Sequence, residues 1–483
     1  MTPLLLAALL AAASADGAPP EGDGGAGDGG SPPVSVLFVL TDDHRHDHLG
    51  CAGHPVLKTP HIDALAARGV RFENAFVTTS ICAASRASIF SGHYELSHGH
   101  TFGKPPLREE LVRDSYPAVL KRAGYRTGFA GKFGVGVARG AQAEMFDVYE
   151  PINRSPYFHK QPDGSLRHTA DLIGDRAEEF IASTPSDQPF CLSLSFNAGH
   201  AEDRDLRDHF PYPETEADLY RNEKLPPIGP APPQAFNRLP EFLQESMNRD
   251  RWQWRWHSNF QRERNTRDYY RLLSAADRNV GRAIAALEQA GRLENTLVIV
   301  TGDNGYYMGS RGLAGKWSHF EESLRVPLVV AGPGVNGAGG AGGGSGIGER
   351  GAGRVEDAVA LNVDLPATML DACGQPVPEH YQGRSLVPFL KGETPADWRT
   401  DFLAEHRMDH PRIPKWQGVR GERWVYANYY EQSPPYEFLH DLSADPLQLK
   451  NLATDPAFAD QLGTMRARSA ELERMRESGD PGA

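Results

Sequence analysis

The chain has 483 residues, 40% of them hydrophobic, so it can bury a large core and wholesale disorder is excluded. Its 63 Asp and Glu outnumber 50 Lys and Arg, and a net charge of −13 argues against a nucleic-acid partner, whose phosphates call for a basic surface. At roughly 150 residues per domain, the length suits one large α/β domain with a smaller companion. The chain opens with an apolar run from Pro3 to Ala13 that is too short to cross a bilayer and ends in the small-x-small sequence Ala13-Ser14-Ala15. Residues 1–15 therefore read as a signal peptide, with export to the periplasm or the outside. Residues 16–33 are Gly, Ala, Pro and acids and read as a flexible tether. No second apolar run of membrane length follows, so the mature protein is expected to have no integral membrane segment.

The segment 34–41, Val-Ser-Val-Leu-Phe-Val-Leu-Thr, predicts a buried strand that ends at Asp42-Asp43. Thr59-Pro60 predicts a helix through Ala67, with Thr59 as cap and Gly69 as stop. Further apolar strands are predicted near 126–130, 190–196, 296–301 and 326–331, and the clearest helical pattern runs from about 266 to 289. Such strands separated by helices indicate a large central, mostly parallel sheet covered on both faces. Residues 335–353 are largely Gly, Ala and Ser and read as a surface loop. Beyond about 375 come short aromatic strands such as 423–426, then a charged helix near 455–476. The fold class is α/β: a main domain over 34–374 and a smaller C-terminal α+β domain with an antiparallel sheet over 375–483.

Two strands end in the same chemistry, Thr41-Asp42-Asp43 and Thr301-Gly302-Asp303-Asn304. Ligands of open α/β sheets collect beyond the carboxyl ends of strands. Three carboxylates and an amide there supply hard oxygen donors suited to one Ca²⁺ or Mg²⁺, not to copper or structural zinc. Eight of the 18 histidines fall between residues 44 and 100, but their spacing points them in several directions and they read as surface or supporting groups. The four cysteines, Cys51, Cys82, Cys191 and Cys373, are too widely spaced for a zinc knuckle or a dense disulfide framework; one bridge is compatible with export, and sequence does not choose it. Cys82 opens a helix expected to stop at Gly92. There it meets free amide N–H groups and shares a face with Arg86, a setting for an anion or a stabilised nucleophile.

Cys82-Ala83-Ala84-Ser85-Arg86 with Ser91-Gly92 resembles the Cys-x-Pro/Ala-x-Arg signature of the formylglycine-dependent sulfatases, in the alkaline-phosphatase-like superfamily. Asp42-Asp43, Thr59-Pro60-His61-Ile62-Asp63, Gly131-Lys132, 301–305, Gly315-Lys316-Trp317 and 436–442 follow in the family's order. The resemblance implies that Cys82 is oxidised by a formylglycine-generating or other sulfatase-maturing enzyme, and that the hydrated aldehyde attacks sulfur. It implies calcium ligands at Asp42, Asp43, Asp303 and Asn304. Arg86 would steady the diol, Lys132 and Lys316 would hold sulfate, and His200 would protonate the leaving oxygen. In character the chain is most similar to bacterial carbohydrate sulfatases. Two departures stand out. Gly134 occupies the place of the histidine in Gly-Lys-x-His, which leaves that role to another histidine or to Asp303, and Gly199 replaces the proline of Ala-Pro-His.

A sulfated saccharide is the expected substrate. The polar groups offered for its organic part are His319 and, in the smaller domain, Glu405, His406, His410, Arg412 and Lys415, with Glu202, Asp203, Arg204 and Asp205 after His200. Trp252, Trp254 and Trp256 fit either core packing or a sugar platform. Two alternative functions stay open on sequence: a phosphomonoester or phosphodiester hydrolase of the same superfamily, and a non-catalytic carbohydrate-binding protein.

Overall fold

In the central strand Ser35–Thr41 (β1) every residue is buried, and its side chains divide between two cores. Val36, Phe38 and Leu40 enter one apolar cluster and Leu37 and Val39 the other, as the two-residue period of a strand covered on both faces requires. The computed structural model describes residues 32–205, 207–229, 233–336 and 353–477. The expected signal peptide, nearly all of the tether and most of the 335–353 loop lie outside the described residues.

The other strands of the large sheet are Val70–Phe72 (β2), Arg126–Gly131 (β3), Val148–Pro151 (β4), Phe190–Ser195 (β5), Thr296–Gly302 (β6), Leu328–Ala331 (β7) and Arg354–Glu356 (β8). Their order is β8-β2-β7-β6-β1-β5-β3-β4. Seven of the eight run the same way; only β7 is reversed, against both β6 and β2. The register decides where the site forms. Leu40 pairs with Ser195 on one side and Thr301 on the other, and Thr41 pairs with Gly302. The two acidic motifs, far apart in sequence, thus leave the sheet side by side.

On one face the helices Thr169–Ser183 and Asn259–Gln289 bury Ile173, Ala177, Leu272 and Val280. The second helix begins seven residues before the expected start. Its opening turns, Asn259 to Arg267, hold a single apolar residue, the exposed Phe260, and so carry no apolar period, but a capping box between Ser258 and Gln261 secures them. The Pro60–Ala67 helix forms as predicted, except that Thr59 does not cap it: the hydroxyl donates to Asp63 (2.9 Å) and accepts from the Gly50 amide (2.9 Å). The helix then closes on Arg68, ahead of Gly69.

On the other face lie the Cys82–Ser91 helix and the C-terminal sheet of Asp401–His406 (β9), Trp416–Gly421 (β10), Trp424–Tyr429 (β11) and Tyr436–Asp441 (β12), antiparallel throughout. Phe402, Trp416, Tyr426 and Leu439 belong to the same apolar cluster as Val36, Phe90 and Val330, so the C-terminal sheet shares the core on this face of the large sheet. The terminal helix spans Ala459–Glu477. All four cysteines are free thiols. Among the described residues, no helix is long and apolar enough to cross a membrane.

Candidate active site

Backbone bonds lock the two strand ends together. The Asp303 amide donates to Thr41 O (2.9 Å) and the His44 amide to Asn304 O (3.0 Å), while the Asp43 amide donates to Asp303 Oδ1 (3.2 Å). The Cys82–Ser91 helix presents its first residue to this junction, with Cys82 Sγ 3.3 Å from Asp42 Oδ1 and 3.0 Å from Lys316 Nζ. Asp42, Asp43, Cys82, Arg86, Asp303, Asn304 and Lys316 are all essentially inaccessible.

Three cations meet the three carboxylates. Lys132 donates to Asp42 and Lys316 to Asp43, and Arg86 Nε donates to Asp303 Oδ2 (2.8 Å). Arg86 also donates to Lys132 O (2.6 Å) and Ser195 Oγ (2.5 Å), which fixes its guanidinium between three strand ends. Ionised groups survive burial only when paired in this way. Burial alone pushes Asp42 up, yet the cations Lys132, Lys316 and Arg86 hold it well below the usual carboxylate range. Asp303 is raised to about 6 by burial and by Asp42. Burial, with Asp303 and Asp42, pushes the Cys82 thiol up to about 12. As a plain cysteine, residue 82 is therefore a protonated thiol at neutral pH and a poor nucleophile.

His200 lies at the exit of β5. Its Nδ1 is 2.7 Å from Ala201 O, an oxygen that only accepts, so Nδ1 carries the proton and Nε2 faces Asp43 Oδ2 at 3.9 Å. Burial and the Arg154 guanidinium push it down to about 3, and the ring is neutral. The donor set suits a hard cation. Asn304 Nδ2 donates to Asp43 Oδ1 (2.6 Å) and Gly305 O (2.9 Å), but its buried Oδ1 has no partner. An amide oxygen left unmet beside three carboxylates is a ready ligand for such an ion.

The Sulfatase family model matches residues 35–375, from β1 past the last strand of the large sheet. The chain belongs to the sulfatase family. It is a sulfuric ester hydrolase. A second model, described as the C-terminal part of N-sulphoglucosamine sulphohydrolase, matches residues 309–477 of this sulfatase. An N-acetylglucosamine-6-O-sulfatase of Bacteroides thetaiotaomicron is 25% identical over 92% of this chain and 87% of its own. A multifunctional alkaline phosphatase superfamily protein of Trinickia caryophylli is 27% identical over 88% of this chain and 92% of its own. A solved protein in complex with its substrate D-glucosamine-2-N,6-O-disulfate has the same fold, with a TM-score of 0.71 and 23% identity over 93% of this chain and 99% of that one.

Both glycine departures in this sulfatase have a steric reason. Gly134 has φ +71°, and a Cβ there would stand 2.8 Å from Arg86 Cδ. Gly199 has φ +62°, and its Cβ would come within 2.7 Å of Asp43 O and 2.8 Å of Asp42 O. Histidine at one position and proline at the other would each displace a group of the cluster.

Residues expected along the substrate have mixed fates, and none of the six bonds to the cluster. His319 is fully buried, with Nδ1 3.0 Å from the Tyr429 hydroxyl and Nε2 3.2 Å from His440 Nε2, which ties its loop to the C-terminal sheet. Glu405 is inaccessible as well, its carboxylate accepting from the Leu96 amide (2.9 Å) and from Arg407 Nε (2.5 Å). His406 is fully buried too, with neither ring nitrogen partnered. His410, Arg412 and Lys415 do reach the surface. Arg412 donates to Glu245 O (2.6 Å) and pairs with Asp250, and Lys415 pairs with Glu431 (2.9 Å). Trp252 and Trp256 are buried and Trp254 is exposed, so packing accounts for two of the three.

The sequence reading overlooked Ser195 and Tyr269, whose hydroxyl donates to Asp43 O (2.7 Å). It also overlooked Arg154, which gathers on Asp203 with Arg251 and Arg255, the arginines interleaved with the tryptophans. The four-residue spacing of Arg251 and Arg255 puts both on one helix face. A cleft of about 630 Å³ opens elsewhere, around Arg45, Arg311, Arg325 and Arg420. Each of those arginines is paired, with Asp47, Glu322, Glu73 and Glu321 respectively. It offers no unmet charge to a sulfate.

Proposed function

We propose that this cluster cleaves sulfate esters of saccharides, with residue 82 matured to formylglycine and one Ca²⁺ held by Asp42, Asp43, Asp303 and Asn304. The observation that carries the reading is Cys82 Sγ set between Asp42 Oδ1 and Lys316 Nζ, inside a buried ring of fixed cations. Hydrated formylglycine supplies the oxygen nucleophile that a thiol of this basicity cannot, and calcium supplies a hard charge for sulfuryl oxygens. The rest falls to side chains of this chain. Lys132 and Lys316, with Arg86 behind them, provide fixed positive charge where the transition state gathers negative charge. Lys132 is the more open of the two lysines, its side chain 16% exposed. His200 exchanges a proton only through Nε2, because Nδ1 is committed to Ala201 O. Starting neutral, it takes a proton before it gives one to the leaving alcohol.

A saccharide is favoured by the sugar sulfatases among the relatives and by the disulfated glucosamine in the structural neighbour. His410, Arg412 and Lys415 are proposed to border the entrance, beside the helix Met247–Arg255, whose first amide donates to Arg412 O (2.8 Å). The apolar leader favours export, and the Cys82 signature favours a sulfatase-maturing partner. Peptide mass spectrometry on protein from a maturation-competent host, with free-sulfate assays on defined sulfated sugars, tests the whole reading. A loss of about 18 Da at Cys82 together with sulfate release supports it. Equal turnover by wholly unmodified protein overturns the mechanism, and turnover of aryl but no sugar sulfates overturns the substrate class.

The Trinickia relative keeps phosphoester hydrolysis as a second reading. Competition between matched aryl sulfate and aryl phosphate esters decides between the two.

A further inference from the structure

The loop after His200 and the helix Met247–Arg255 build a second charged group against the wall of the catalytic cluster. Asp203 is its centre. It pairs with Arg154 (3.2 Å), with Arg251 (3.4 Å) and with Arg255. Glu202 adds a second carboxylate, 3.6 Å from Arg154 and accepting from Ser155 Oγ (2.7 Å). Three guanidiniums thus face two carboxylates, and one positive charge is in excess.

The excess is concentrated on Arg251. Arg255 is buried and bonded to Asp203, and Arg154 divides itself between both carboxylates. Arg251 has only the long contact to Asp203, and its Nε has no partner. Its charge is correspondingly short of compensation: burial and the neighbouring Arg255 push it below the usual arginine range. The side chain is still 15% exposed, so the group is not sealed.

Position ties this charge to the chemistry. The Arg251 guanidinium lies over the Trp317 ring, 4.7 Å from its centroid, one residue after Lys316. The same helix is stitched to that segment, since Asn248 Nδ2 donates to Lys316 O (2.5 Å) and the Ala314 amide to Asn248 O (2.8 Å). On the opposite flank Arg154 stands close enough to His200 to lower its basicity. Arg251 and Arg154 therefore flank Lys316 and His200, the groups proposed to meet the sulfate ester.

We infer that Arg251, held on Trp317 and backed by Arg154 and Asp203, is a specificity-determining residue that binds a second anionic group of the saccharide. Asp203 acts as the positioning residue: it keeps the guanidiniums apart and aimed, and it gives up part of its contact with Arg251 when an anion arrives. The preferred substrate is then a sulfated sugar that carries another charge, either a second sulfate or a uronate carboxylate. A fork of N–H donors suits both of these planar or tetrahedral oxyanions. This rests on the saccharide-sulfatase reading above.

The test measures binding and turnover separately. Calorimetry on full-length Cys82→Ser protein with calcium compares a monosulfated hexosamine, its disulfated form, and the monosulfated sugar linked to a uronate. At least one doubly charged ligand should bind about tenfold or more tightly than the monosulfated one. Arg251→Gln should erase most of that preference, and Arg251→Lys should retain part of it. Which ligand loses its advantage identifies the second anion. Equal affinity for all three ligands, no binding of any, or a preference untouched by Arg251→Gln in protein with an unchanged melting temperature overturns the inference. Hydrolysis of an activated aryl sulfate by mature wild-type protein reports on the underlying reading alone. Its absence sinks sulfatase chemistry at this site, whatever calorimetry shows.

Discussion

Two groups of buried carboxylates in this molecule are neutralised by different means. At the strand ends, Asp42, Asp43 and Asp303 are met by Lys132, Lys316 and Arg86. Where β9 crosses the Glu95–His98 helix, Glu95 and Glu405 share little beyond Arg407, which donates its backbone amide to Glu95 (3.2 Å) and its guanidinium to Glu405. The first group balances charge with the ammonium heads of Lys132 and Lys316 and the pinned guanidinium of Arg86, cations suited to meet an oxyanion as well as a carboxylate. The second is balanced by a proton: burial, with Glu405 beside it, raises Glu95 to about 8. Burial of acids marks neither function nor structure by itself. What separates the two is whether the counter-charges can be exchanged for substrate.

The comparison breaks first at Cys82. Cys82→Ala should lower sulfate release by about 10⁴-fold or more while leaving the melting temperature near wild type, because only the nucleophile precursor is lost. A variant within tenfold of wild type would show that the strand-end cations serve some other purpose. Asp303→Asn comes next. It keeps the shape but leaves Arg86 and both lysines one carboxylate short, and it should cost about 10²–10³-fold in kcat with lost calcium by elemental analysis. Calcium chelation should reproduce that loss reversibly and lower the melting temperature of wild type by several degrees, as removal of a ligand bound only to the folded state must.

At the other group the readout is stability. Glu95 ionises near its ordinary value when unfolded but only near pH 8 when folded. The folded state therefore binds the extra proton between those limits, and stability falls as pH rises from about 4.5 to about 8. Glu95→Gln should remove that slope and gain roughly 1–3 kcal/mol at pH 9, measured by urea unfolding against pH. An unchanged slope would mean that Arg407 already carries the pair. The smallest effect is expected at Arg412, whose partners Asp250 and Glu245 O lie near the surface. Arg412→Ala should change stability by less than about 1 kcal/mol and raise KM for a sugar sulfate a few-fold more than for an aryl sulfate. Equal shifts for both substrates would remove it from the entrance.

Much of the strand-end group was legible in sequence because strand exits in such sheets are chemically conspicuous. Apolar runs ending in Asp42-Asp43 and Asp303-Asn304, and a helix opening at Cys82, place residues without any knowledge of packing. The reversal of β7 was not legible, since four apolar residues read alike in either direction. The start of the Asn259–Gln289 helix was hidden for a different reason: its first turns carry no apolar period and are held by a cap, not by a buried face. His319 drew notice for its place after Lys316, and Glu405 for the polar run it opens, but neither position foretells burial. His319 packs against Tyr429 and His440, and Glu405, inside the strand Asp401–His406, meets Arg407 and the Leu96 amide. The Asp203 cluster depends on residues drawn from three distant segments, and no local pattern foretells their meeting.

Gly134 carries a consequence for how this enzyme can change. With a Cβ at that position 2.8 Å from Arg86 Cδ and a left-handed backbone, no larger residue enters unless Arg86 moves, and Arg86 is pinned at once to Asp303, Ser195 and Lys132 O. The two positions form an epistatic pair. Histidine grafted at 134 alone should be deleterious in this background, as a drop in activity and melting temperature would show. The same graft becomes tolerable only after the β3 exit has opened to receive the ring, so the order in which substitutions arrive decides which evolutionary routes remain passable.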